Sequence, residues 1–201
     1  MGFSPGIFVF VLIFGFQGGS PGPFPQKNFP RETGLRKYNR ASVLEISMPH
    51  APQEIRTFFV TSTTKDRHPI FQTERMARLF IDVLQDNRKK GRFQLHEFVL
   101  MPDHFHLLIT PADTVPLEKA VQFIKGGFSF RAKKELGFTA EIWQESFAER
   151  RIKDAEDYEK HRTYIWENPV KRFLVEKPEM YPYSSASPGA KVDARPAWFR
   201  A

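Results

Sequence analysis

Apolar and polar positions alternate between two periods along the chain, and the switches between them mark out the elements. The run TFFVTSTT, Thr57 to Thr64, is β-branched and aromatic between polar flanks, which predicts a strand. From Thr73 to Lys90, Met76, Leu79, Phe80, Val83 and Leu84 recur at three- and four-residue spacings, which predicts an amphipathic helix capped by Thr73. Phe93 to Met101 and Phe105 to Thr110 are β-rich and separated by Pro102-Asp103, a turn pair suited to an antiparallel hairpin. Helical spacing returns from Pro116 to Gly137 through Leu117, Ala120, Val121, Ile124 and Phe128, with a break expected at Gly126-Gly127. Ile142 to Ile152 reads as a further strand, and Asp154 to Glu167 as a helix ending before Pro169, because a residue preceding proline is pushed out of helical geometry. The resulting order, strand, helix, strand, strand, helix, strand, helix, predicts an α+β fold. Its form is a ferredoxin-like sandwich, a mainly antiparallel sheet with helices packed on one face.

The N-terminal region follows a different pattern. GIFVFVLIFGF is shorter than the roughly 20 apolar residues that cross a bilayer, and no Lys or Arg precedes it, so neither a transmembrane helix nor a secretory signal is expected. Gly18 to Pro30, rich in Gly and Pro, reads as a disordered linker. The expected organisation is an extension over 1–47, disordered or translated from a start placed too early, with Met48 opening a domain over 48–185 and a tail over 186–201.

Composition narrows the chemistry. With 30 Lys+Arg against 23 Asp+Glu, the net charge of +7 favours a polyanionic partner, nucleic acid first. The absence of cysteine excludes Cys-ligated zinc, iron–sulfur clusters and thiol catalysis. Any metal must therefore rest on His, carboxylate, amide or substrate oxygens.

Two motifs carry candidate chemistry. In VLMPDHFHLLITP, His104 and His106 are two apart in a strand, so their imidazoles share a face and could converge on one divalent ion, while Phe105 and Leu107 point the other way. The spacing alone equally suits two partly buried, hydrogen-bonded histidines. In YIWENPVKR, Tyr164 and Asn168 are four apart on a helix and His161 lies three before Tyr164, so phenol, amide and imidazole could address one site. An amphipathic core tyrosine and a helix-terminal asparagine would also explain that pattern. Tyr158 competes as a nucleophile by type but lies off the Tyr164–Asn168 stripe.

Together, VLMPDHFHLLITP and the downstream YIWENPVKRFLVEKPEMYPYSSA resemble the REP-associated tyrosine transposases, a branch of the single-tyrosine HUH (insertion-sequence-200-like) transposases, over about Thr57 to Ser185. The resemblance implies that His104 and His106 are metal ligands, Tyr164 the nucleophile, and Asn168 the third metal ligand; His161 has no assigned counterpart and stays an auxiliary candidate. Relatives often carry histidine where this chain has Arg150, which leaves that position's role open. The implied activity is metal-dependent single-strand DNA cleavage and strand transfer at hairpin repeats through a covalent 5′-phosphotyrosine. Two nitrogens and an amide oxygen suit Mg²⁺ or Mn²⁺, with phosphate and water completing the shell. Expected partners are single-stranded DNA hairpins, with a homodimer open and no membrane partner; the expected location is the cytoplasm, on the nucleoid when DNA-bound. Lys119, Lys125, Arg131, Lys133 and Lys134 on the second helix, and Lys171 and Arg172 beside the third, are candidate DNA contacts or simply solvated charge. Two further functions compete: a domesticated protein that binds repeats without cutting, and a hydrolase with a zinc-activated water.

Overall fold

A computed structural model describes residues 56–199; the apolar run, the Gly/Pro-rich stretch and the Met48 start lie outside the described residues. The chain alternates β1 (Phe58–Thr63), α1 (Glu74–Lys89), β2 (Phe93–Met101), β3 (His104–Pro111), α2 (Leu117–Leu136), β4 (Ala148–Arg151) and α3 (Ala155–Lys171). The four strands form one sheet in the order β2-β3-β1-β4, every neighbouring pair antiparallel. This is the split βαβ arrangement of a ferredoxin-like sandwich, with α3 appended.

Side-chain alternation on β3 decides how the layers form. Phe105, Leu107 and Ile109 face α1 and α2 and join Phe80, Leu84, Ile124 and Phe128 in the main core. Leu108 points the opposite way into a second cluster with Val99, Met101, Ile152, Tyr158 and Ile165. So α3 packs on the other sheet face, not on the face shared by α1 and α2. The reason is the burial of β3 along its whole length, which needs an apolar layer on each side.

Three local expectations change. No break interrupts α2 at Gly126-Gly127; instead Gly127 lets α2 close on α1, since a Cβ there would sit 3.3 Å from Val83 Cγ1. Helix α3 runs through Pro169, which falls in its last turn and so removes little of the backbone ladder. Its end closes with Leu174 N–H donating to Pro169 O and Phe173 N–H to Val170 O, both 2.9 Å, a Schellman arrangement. Within 142–152 only Ala148–Arg151 is strand; Trp143 makes an isolated bridge to Thr64 and buries its indole against Phe71, Phe80, Phe105 and Phe128. Thr73 occupies the N-cap of α1, but its hydroxyl donates to Ile70 O rather than to the helix.

The C-terminal segment runs along the outer edge of β2. Leu100 N–H donates to Tyr183 O (2.9 Å), Ser185 N–H to Phe98 O (2.8 Å) and Asp193 N–H to Leu95 O (2.7 Å). The Asp193 carboxylate accepts from both Arg88 and the Leu95 amide, fixing the segment to α1 and β2 together.

Candidate active site

The antiparallel register of β1 and β3 sets Thr61 opposite His106, and the two side chains meet: Thr61 Oγ1 lies 2.7 Å from His106 Nδ1. Two residues earlier, at the start of β3, His104 Nδ1 bonds the carboxylate of Asp103, which also accepts from Arg67 at 3.2 Å. Partial burial works against ionisation of Asp103, yet the bonds from His104 and Arg67 hold its carboxyl below the ordinary range. An ionised carboxylate only accepts, so His104 Nδ1 carries the proton and Nε2 keeps its lone pair.

Burial pushes His106 down to about 3, helped by repulsion from His104 when that ring is protonated and by the charge of Arg172. Burial likewise lowers His104, against the pull of Asp103. Both imidazoles are therefore neutral near pH 7. With Nδ1 of each ring occupied, the free nitrogens are the two Nε2 atoms, and that of His106 is buried without any hydrogen-bond partner. Such an orphaned buried group costs about 1–3 kcal/mol, and a histidine anchored at one nitrogen with the other bare is what metal ligation requires. The residues present thus fit a divalent cation. Among the described residues no group of three or more His, Cys, Asp or Glu is placed to hold a metal ion, the Asp103 carboxylate lying on the Nδ1 side of His104, so a third protein ligand has to be an amide or a more distant group.

Helix α3 supplies the other half. The Tyr164 ring stands 5.1 Å from that of His106 and 5.9 Å from that of Phe59, and 42% of the residue is exposed, so its phenol is open to solvent on one side. Phe59 in turn stacks on His106 at 5.3 Å and packs against His161 at 4.7 Å, making a wall that fixes the imidazole plane. His161 donates from Nδ1 to Asp157 O at 2.7 Å, so it supports this wall. Asn168 is buried one turn beyond Tyr164 and one turn before Arg172, both of which act on the histidines; its amide makes no hydrogen bond to another described residue. Tyr158 is buried beneath Arg195 and Phe199, and burial drives its phenol well above the ordinary tyrosine range.

Two cavities flank the site. One of about 280 Å³ is lined by Arg67, Pro69, Asp103, His104, Arg172 and Leu174, and one of about 340 Å³ by Phe59, Lys160, His161, Thr163, Tyr164 and Lys171. A larger one, about 450 Å³, lies at the far end of β3 beside Thr110 and Pro111, away from this chemistry.

The basic candidates divide. Lys171, ion-paired with Glu167 at 2.8 Å and 5.8 Å from the Tyr164 ring centroid, and Arg172 border the site. Helix α2 carries Lys119, Lys125, Arg131, Lys133 and Lys134 on the opposite sheet layer. There Lys125 donates to Gln144 O and Ser146 O, and Arg131 pairs with Glu135 and Asp86. Arg150 is exposed on β4, 3.6 Å from Asp157. Thr61, Asp103 and Phe59 are the site residues that motif reading passes over; only Asp103, adjacent to His104 in the turn, carried a local signal.

Comparison with known proteins agrees with this architecture. A REP-associated tyrosine transposase of Escherichia coli K12 is 27% identical over 130 residues, covering 64% of this chain and 75% of that protein. A relative of the same REP-associated group in Haemophilus influenzae is 27% identical over 149 residues, covering 69% and 84%. A REP-associated tyrosine transposase solved bound to a REP hairpin shares the fold, with a TM-score of 0.53 at 23% identity over 76% of this chain and 96% of that one. The family described as "Transposase IS200 like" matches residues 56–168, from the residues leading into β1 to Asn168 itself, and the chain belongs to the IS200-like transposase family.

Proposed function

We propose that the chain is a single-strand DNA endonuclease and strand transferase that acts on hairpin repeats through Tyr164. The observation that carries this reading is the meeting of a half-exposed tyrosine with two neutral histidines whose Nε2 atoms are free. The hairpin as substrate is suggested by the REP hairpin bound in the structural relative.

The Tyr164 oxygen attacks the scissile phosphorus as the phenol proton leaves; the bond from phosphorus to the 3′ oxygen breaks, and that oxygen takes up a proton. One phosphodiester is exchanged for another, so the covalent 5′-phosphotyrosine stores the bond energy for rejoining without ATP. A divalent ion, Mg²⁺ or Mn²⁺, held by His104, His106 and Asn168, would supply neutralisation of the phosphate charge that otherwise repels the nucleophile. The protein's own residues do the rest. Phe59 fixes the plane of His106, Thr61 engages Nδ1 of His106, Asp103 fixes the proton on Nδ1 of His104, and Arg172 adds fixed positive charge beside His104. A strand crossing between the two flanking cavities passes Tyr164 and His104 in turn. The zinc-hydrolase alternative is less favoured because, among the described residues, no third His or carboxylate is placed with the pair as a metal ligand, Asp103 being bonded to His104 Nδ1.

The test is incubation of the protein with labelled single-stranded hairpins from its own genomic neighbourhood and Mg²⁺ or Mn²⁺, scored for a DNA–protein adduct that survives denaturation. Tyr164→Phe abolishes the adduct and leaves hairpin binding intact. A Tyr164→Phe protein that still forms it would overturn the assignment, and hairpin binding without any adduct would identify a non-cutting repeat-binding protein.

A further inference from the structure

Phe173 is the least economical residue near the site. It is 95% exposed, and it adopts φ of +56° at the position following the α3 C-cap, where the Schellman closure favours glycine because any Cβ is crowded in that backbone region. Neither the fold nor the core gains from a phenyl ring there. Among the described residues only two other non-glycine residues have positive φ, Asp66 at +50° and Arg67 at +55°. One of them, Arg67, lines the 280 Å³ cavity against His104; Asp66 precedes it in the chain, and Phe173 lies between Arg172 and Leu174, which line the same cavity. Strained backbone within or next to the segments that line one cavity points to a binding role there.

The chemistry of the lining names the ligand. Arg67 and Arg172 present two guanidinium groups to the cavity, with Asp103 already engaged by His104 and Arg67. Cationic lining beside an exposed aromatic ring is how single-stranded nucleic acid is held: arginines track phosphates while a ring stacks on a base. A protein partner with an apolar contact would not need the arginines.

We propose that Phe173 is a stacking platform for an unpaired base of the DNA strand next to the scissile phosphate, with Arg67 and Arg172 holding the phosphate of that nucleotide. The inference rests on the function proposed above and extends it to a binding residue outside the nucleophile and metal set.

Fluorescence anisotropy of the full chain on labelled oligo(dT), and on a strand of equal length with abasic residues in place of bases, tests it. Phe173→Gly is expected to weaken oligo(dT) binding about 5- to 150-fold, the loss of one base stack, and to leave abasic-strand binding unchanged. Its melting temperature stays level or rises, because glycine relieves the backbone, so weaker binding cannot be blamed on misfolding. Phe173→Trp keeps the affinity, whereas Phe173→Leu, apolar but without a π face, loses it. Wild-type affinity for oligo(dT) in Phe173→Gly, or full retention in Phe173→Leu, overturns the inference. The adduct assay separates the two readings. Adduct formation with a Phe173→Gly protein of unchanged affinity sinks only the stacking role, loss of affinity without any adduct in the wild type sinks only the nuclease reading, and a wild-type chain that binds no single strand sinks both.

Discussion

Replacing Thr61 by valine isolates the part of the site that the hairpin motif does not display. The two side chains are nearly isosteric and both β-branched, so β1 keeps its pairing with β3, and the substitution removes only the hydroxyl that lies 2.7 Å from His106 Nδ1. His106 Nε2 already lacks a partner; with Thr61 gone, the buried imidazole has none at either nitrogen. One orphaned buried group costs about 1–3 kcal/mol, which lowers the melting temperature by roughly 2–4 °C per kcal/mol in a chain of this size. The imidazole also loses the contact that holds its Nδ1 and orients Nε2, and removal of such an outer partner weakens metal binding about 10- to 100-fold. Free Mn²⁺ counted by electron paramagnetic resonance during a titration of wild type, Thr61→Val and Thr61→Ser measures the affinity directly. Thr61→Ser retains the hydroxyl and most of the binding. Thr61→Val that binds Mn²⁺ within about twofold of wild type, far less than the loss expected, would refute the reasoning that Thr61 prepares His106 as a ligand.

Other expectations follow from the same structure. Gly126→Ala stabilises α2 by about 0.5–1 kcal/mol, since nothing lies within 4 Å of the added Cβ; destabilisation in urea would contradict it. Asp193→Ala removes the acceptor of Arg88 and the Leu95 amide and costs about 1–3 kcal/mol, measurable as a lower denaturation midpoint with an unchanged slope. Stability should also fall with acidification. His106 titrates at about 3 in the fold against 6.5 ordinarily, so between those values the unfolded chain binds the extra proton and the fold does not. The loss approaches about 1.4 kcal/mol per pH unit; it is absent above the upper value and complete below the lower one. His96 and His104, also lowered, add to the slope, and Glu97, raised by burial, opposes it at its own titration. Denaturation midpoints that stay flat from about pH 7 to pH 5 would contradict this linkage.

How far the sequence reveals all this depends on the range of the interaction. Six of the seven elements are legible because each rests on a local period or composition, as Met76 to Leu84 repeat at helical spacing and FFVTST has strand composition, whereas β4 is four exposed residues, AERR, made a strand by pairing with β1. His104, His106, Tyr164 and Asn168 stand out through fixed short spacings. Thr61 does not, since its meeting with His106 depends on the register between strands some 45 residues apart. The face taken by α3 is equally hidden; it follows from β3 being buried on both sides, a property of the assembled sheet. Gly127 misleads locally because its small size serves the neighbouring Val83 rather than its own helix. Pro169 is tolerated because it falls where the helix has almost ended.

The segment bonded along the outer edge of β2 bears on the fate of incomplete chains. Without Tyr183, Ser185 and Asp193, the amides of Leu95 and Leu100 and the carbonyls of Leu95 and Phe98 face outward on a strand reading FVLM. An open apolar edge of that kind templates pairing with other chains, whereas the opposite edge, β4, is short and charged and resists it. A product truncated before Tyr183 would keep every candidate site residue yet aggregate, so its abundance in soluble form, rather than its chemistry, becomes the first thing lost.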